Sequence, residues 1–235
     1  MNDELVDRPL QVGEVIAETI RIYGRRAFVY FAIGAIWALP SFLLTQTTPG
    51  AADVVIVGVA FVVGLLVTIP LVLRLSLKAW LRRVAGSAVM LVPLVAVVGV
   101  PAGLAALEPW TAAAASVWLA LAVFALPVVL LEEAPEGTST LRYLLTRCVK
   151  LGRVGYVHAL MTVLVLLLVP HLVGLLMRLA LVAYADNTQA TSLLIVQAVL
   201  MPFVFIGLTV LYCEQSARLQ EPVRSAFSCE PHARA

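Results

Sequence analysis

Histidine, cysteine and carboxylate side chains are the groups that bind metals or move protons, and in this chain they are few and scattered. His158 and His171 are the histidines that fall in apolar stretches. A ligand or relay role asks for a carboxylate or thiol at helical spacing, and neither has one in its own stretch, so both read as packing or interfacial residues. Pro170-His171 is the more suggestive of the two. A carbonyl freed by the proline and an imidazole could face a wet vestibule, although a kink with a surface histidine accounts for the pair equally well. Glu132, Glu133 and Glu136 cluster with no His or Cys in their run and read as a helix-start acidic group balancing Arg142, rather than a metal site. Cys148, Cys213 and Cys229 imply no disulfide framework and read as packing or inert thiols. No glycine-rich phosphate loop, zinc spacing, nucleophile beside a base or aspartate-rich motif occurs, so no enzymatic activity and no cofactor are expected.

The elements that would position these groups follow from composition. Of 235 residues 62% are hydrophobic and 13% charged, which makes lipid the expected solvent. A span needs about 20 apolar residues, and charge-free windows of that size run from Ala27 to Ala52, Val54 to Leu73, Val84 to Leu107, Pro109 to Leu131, Val154 to Met177 and Asn187 to Cys213. Backbone groups facing hydrocarbon must be paired within the segment, so each window is expected to be helical. The fold class is an all-α bundle of six transmembrane helices, at about 27–47, 54–73, 84–107, 110–131, 154–177 and 190–213. Residues 1–26 are expected to form a cytoplasmic N-terminus with an interfacial helix, and 214–235 a disordered cytoplasmic tail. The acidic, polar start MNDELVDRPLQVGE does not resemble a signal peptide, so the first span should act as its own insertion signal.

Lysine and arginine set the orientation. The N-terminal segment, the second-to-third and fourth-to-fifth connections and the tail hold fifteen of them, against Arg178 alone on the other side. That bias places both termini in the cytoplasm of a bacterial inner membrane. The outer connections are then short and carry Asp53, Glu108 and Asp186. Within the basic segments the charges recur at helical spacing: Glu14, Glu18, Arg21 and Arg25 before the first span, Arg74, Lys78 and Arg82 before the third, and Arg142, Thr146, Lys150 and Arg153 before the fifth. Each segment reads as an amphipathic helix in the inner interface. The headgroup contacts expected are Arg21, Arg25, Arg26, Arg74, Lys78, Arg82, Arg83, Arg142, Arg147, Lys150 and Arg153. Interfacial helix, outgoing span and returning span then repeat three times.

Pro40, Pro101 and Pro170 fall late in spans one, three and five, whereas Pro70 and Pro127 fall near the inner ends of spans two and four, and Pro202 mid-span in the sixth. These six are the candidate helix hinges. Gly58, Gly64, Gly86, Gly99 and Gly103 offer small surfaces, with Gly99 and Gly103 read as an internal contact or bend. Ser41, Thr45, Thr68, Ser87, Thr162, Gln197 and Thr209 are the neutral polar groups at depth. They could line a path for a lipid or an uncharged solute, but more often such groups bond the preceding turn or a neighbouring helix. No charge lies inside any window, which argues against ion-coupled transport.

The run RPLQVGEVIAETIRIYGRRAFVYF carries Pro9-Leu10, Gly13-Glu14 and Tyr23 followed by Arg25 and Arg26. Later come the acidic turn Glu132, Glu133, Glu136-Gly137, the basic helix Leu141-Arg142 through Arg147 and Lys150, and the closing Leu211-Tyr212-Cys213-Glu214 with Arg218. In these features the chain resembles the six-helix membrane domain found joined to bacterial glycerophosphoryl diester phosphodiesterases and in free-standing actinobacterial membrane proteins. The resemblance runs the whole length and implies six spans. Its second-to-third connection is shorter than the family's, and Cys213 stands where an acidic residue is usual. The chain has no room for the soluble phosphodiesterase barrel, so that activity does not carry over.

Two functions follow as expectations. One is a non-enzymatic accessory or scaffold protein acting on membrane lipids or on a membrane partner, with no nucleic acid involved. The other is the permease subunit of an ATP-driven exporter, which would need an ATPase partner and would begin with one elbow helix rather than three.

Overall fold

A computed structural model describes residues 10–44, 51–105, 109–135, 139–181 and 186–219. Arg8, Thr45, Glu108, Glu136, Arg224, Cys229 and Arg234 lie outside the described residues. Every regular element among the described residues is helical. The helices are α1 (Val12–Arg25), α2 (Ala27–Leu44), α3 (Ala51–Val72), α4 (Leu77–Gly86), α5 (Ala88–Leu94), a π-helical turn (Val95–Gly99), α6 (Val100–Ala105), α7 (Pro109–Ala122), α8 (Ala125–Leu131), α9 (Thr140–Val154), α10 (Tyr156–Ala180) and α11 (Asp186–Arg218). Five helical runs are long and apolar enough to cross a membrane: Ala52–Val72, Ala88–Ala105, Trp110–Leu131, Tyr156–Met177 and Leu194–Arg218. The first of the six expected spans corresponds to α2, whose apolar run is the shorter Ala27–Leu39. Large apolar side chains line the outside, Phe28 at 92% exposure and Trp110 at 84% among them, a surface compatible with a lipid surround.

The last helix is the central post, touching α1, α2, α3, α9 and α10. Phe205 on α11 meets Phe61 of α3 and Trp37 of α2 edge to face, with ring centroids 5.3 and 6.4 Å apart. Without a solvent-driven hydrophobic effect in lipid, helices associate through close contact, and here glycines allow it. A Cβ on Gly34 would come within 1.8 Å of the Ala198 carbonyl oxygen. Pro202 stands four residues after Ala198 and has no N–H to offer it, so the backbone of α2 fits against a carbonyl that the α11 ladder leaves open. Gly58 and Gly99 face each other in the same way, and Gly103 lies against the Val54 carbonyl, so Gly99 and Gly103 do form an internal contact.

Interruptions in the long helices coincide with prolines. The π-helical turn precedes Pro101, whose missing N–H leaves the Val97 carbonyl to accept the Trp118 indole N–H at 2.8 Å. Pro127 follows the break between α7 and α8. At the end of α3, Arg74 adopts φ 54° while the Leu75 amide bonds back to the Pro70 carbonyl at 2.9 Å, a left-handed closure that places the chain for α4. Pro40 falls within α2, and Pro170 and Pro202 stand inside helices that continue through them.

One boundary is corrected. Helix α11 does not stop at Cys213 with a disordered tail beginning at 214. It continues to Arg218, and Glu214, Gln215 and Ser216 are fully buried. The Glu214 carboxylate is held in that packed turn by Gln215 and Arg218, which both donate to it.

Candidate functional site

The polar chemistry of the molecule gathers where α8 ends, α9 packs and α11 finishes. Glu132, the first residue after α8, is a three-way acceptor. Its Oε2 takes the Tyr143 hydroxyl at 2.6 Å and Arg147 Nε at 2.7 Å, and its Oε1 takes the Tyr212 hydroxyl at 2.8 Å. The Glu132 and Arg147 side chains keep 12% and 8% of their exposure. A buried ion pair is tolerable only when its remaining bonding capacity is met, and the two tyrosines meet it for the carboxylate. Next to it, Cys148 has its thiol pushed up to about 12 by burial first and then by the charge of Glu132, with Arg147 opposing.

A second carboxylate, Glu214, is wholly buried on the adjoining part of α11. It is clasped by Arg218 one turn on, accepts Gln215 Nε2 at 2.9 Å and lies 3.4 Å from His158 Nε2 of α10. Arg218 also donates to the Leu10 carbonyl at 2.8 Å, at the entry to α1. The Gln215 amide rests on Gly155, where a Cβ would stand 3.2 Å from it, a tight approach at the junction of α9 and α10.

These contacts redistribute the expected headgroup residues. Arg21, Arg25 and Arg26 on and after α1, Arg74, Lys78 and Arg82 on and before α4, and Arg142, Lys150 and Arg153 on α9 are exposed. Arg83 is partly withdrawn, donating to the Leu130 carbonyl at 3.0 Å and to Glu133 at 3.1 Å, which caps the end of α8. Arg147 is a correction: it is buried against Glu132 instead of facing headgroups. Leu144, Arg147, Cys148 and Leu151 follow the three, four, seven spacing of a helix face, and all four are buried, so the register of α9 itself turns Arg147 inward. Leu141 and Leu145 lie outside that buried stripe and are 54% and 59% exposed. The acidic cluster is also re-paired, with Glu132 engaging Arg147 and Glu133 engaging Arg83.

Among the described residues, the hydrogen-bond partner of His171 is a backbone carbonyl. Its Nε2 donates to the Ala105 carbonyl at 2.6 Å in the last turn of α6, an interhelical cap. His158 does have an acidic neighbour, but on another helix, which inspection within its own stretch misses. Thr209 bonds back to the Phe205 carbonyl at 2.9 Å, the local pattern expected of a hydroxyl at depth. Tyr143, Tyr212, Glu214, Gln215 and Arg218 were not among the expected site residues. The one legible signal is the Glu214 to Arg218 spacing of four residues at the end of an apolar run. Among the described residues no group of three or more His, Cys, Asp or Glu is placed to hold a metal. The arrangement can lock helices together and leaves basic side chains outward. No protein-family model, curated protein or solved structure matches the chain.

Proposed function

We propose that this chain is a non-enzymatic accessory or scaffold protein of the bacterial inner membrane that gathers anionic lipid headgroups on its basic helices. On this reading it spans the bilayer six times as three repeats of interfacial helix and helical hairpin, with both termini cytoplasmic, and belongs with the membrane-domain family that its sequence resembles. The carrying observation is a division of labour among the cations. Arg147 and Arg218 are bound into the bundle by carboxylates, whereas Lys78, Arg82, Arg142, Lys150 and Arg153 stay exposed on α4 and α9. Exposed cations beside apolar helix faces are what an anionic leaflet attracts, at about 1 kcal/mol for each Lys or Arg near the surface.

The test is retention of lipid by the purified protein in nanodiscs of mixed anionic and zwitterionic phospholipid, followed by native mass spectrometry. Enrichment of the anionic lipid, reduced when Arg142, Lys150 and Arg153 are changed together to glutamine, supports the reading. Equal retention of the two lipids by the natural protein rejects it.

A further inference from the structure

The entry to α1 is fastened to the end of α11 by one side chain. Arg218 holds the Leu10 carbonyl oxygen through Nη2 at 2.8 Å and Glu214 through Nε. Leu10 is buried with Val15, Tyr30, Val72, Ile206 and Val210, so this bond secures the first residue of the surface on which α1 docks. The carboxylate that positions Arg218 is shared. Its Oε2 accepts Gln215 Nε2 at 2.9 Å and stands 3.4 Å from His158 Nε2, a buried nitrogen that makes no hydrogen bond. The charged groups acting on this imidazole are Glu214 and Arg218, both from α11. Of the other helices packed on α10, α7 has no ionisable side chain, and α9 carries Lys150 and Arg153 exposed. On α1, Glu14 accepts the Gln11 amide, Glu18 accepts Arg21, and the cations Arg21 and Arg25 are exposed.

We propose that His158 is a proton-operated release for α1. With the imidazole neutral, Glu214 and Arg218 balance each other and the clamp on Leu10 is closed. One proton taken from water onto the imidazole sets two cations against one buried carboxylate. His158 is carried by the backbone of α10 and stays in place, and arginine does not give up its proton. The group free to move is the Arg218 side chain, which is 25% exposed at the end of its helix. Glu214 turns to the imidazolium, closing the 3.4 Å gap to a charge-assisted hydrogen bond, and Arg218 swings toward water. The Leu10 carbonyl then loses its donor and the start of α1 lifts from α11. No covalent bond changes. This device does not depend on whether the basic faces bind lipid.

The experiment is hydrogen–deuterium exchange of the full chain in nanodiscs at about pH 8 and about pH 5, corrected for intrinsic exchange and read in peptides covering Gln11 to Arg25. The natural protein should lose about tenfold protection there in acid, while the His158→Gln variant, whose amide cannot be protonated, keeps it at both pH values. Arg218→Ala should show the low protection at both. His158→Phe replaces His158→Gln if the latter does not assemble. Equal protection of the natural protein at both pH values, or an acid-induced loss that persists without His158, overturns the proposal.

Discussion

The hydroxyl of Tyr212 donates a 2.8 Å hydrogen bond to Glu132, joining α11 to the end of α8 across 80 positions of the chain. Tyr143 and Arg147 donate to the same carboxylate from α9, so one side chain ties three helices together.

Glu132→Ala should therefore be among the most disruptive single changes. It takes the carboxylate partner from the buried Arg147 guanidinium and from two hydroxyls, a loss of about 3–5 kcal/mol. Arg147→Met alone should be comparable, because it leaves the carboxylate unpaired in the same site. The double variant Glu132→Leu with Arg147→Met should be far less destabilised than the sum of the singles, since no charge is then stranded. Unfolding by added sodium dodecyl sulfate in mixed micelles measures all three. Additive losses would show that the two groups act separately.

Cys148 should be inert in the folded protein. Its thiol is buried and held protonated until about pH 12, so at neutral pH almost none of the nucleophilic thiolate is present. In a Cys213→Ser, Cys229→Ser background, maleimide should leave Cys148 unlabelled in the folded protein and modify it fully once detergent unfolds the bundle, as read by intact-mass spectrometry. Because the folded value lies above the ordinary thiol value, whatever stability this group contributes is complete below the ordinary value and fades as pH rises toward 12. Labelling of the folded protein at neutral pH would mean that α9 opens from the bundle.

His171 caps the Ala105 carbonyl, and its removal should cost about 1 kcal/mol, the usual effect of orphaning one acceptor. His171→Phe keeps bulk and loses the donor, while His171→Gln can still reach the carbonyl and should lose less. A proton-relay role for this histidine would instead appear as a functional defect in His171→Gln with stability intact.

The helices were legible because twenty apolar residues admit few alternatives in lipid, and Trp80, Leu144 and Leu151 bury as their helical spacing indicates. Arg147 was legible too, since it lies in the Leu144 to Leu151 stripe, but the expectation that every interfacial arginine seeks headgroups outweighed its register. The bond from Tyr212 to Glu132 could not be read, because it depends on the rotation of α11 against α8, which hydropathy does not encode. A window rule that ends a span at its first charge also cut α11 short. Glu214 is compatible with burial once Arg218 and Gln215 are seen beside it.

Close contact between glycines makes the sharpest contrast among possible substitutions. A Cβ on Gly58 would stand 2.3 Å from the Gly99 carbonyl oxygen, and one on Gly99 would stand 2.8 Å from the Gly58 oxygen. Backbone cannot rotate aside as a side chain does, so α3 and the π-helical turn must separate, and overpacking of this kind costs about 1–3 kcal/mol. Gly13 and Gly24 in α1 have nothing within 4 Å of an added Cβ. There the same substitution should be neutral or stabilising by up to about 1 kcal/mol, since alanine is the better helix former. Thermal unfolding in one detergent should thus rank Gly58→Ala and Gly99→Ala below the natural protein and Gly13→Ala at or above it. If Gly58→Ala melts with the natural protein, α3 and the Val95–Gly99 turn do not meet backbone to backbone, and the packing that orients α7 and its Trp118 contact fails with it.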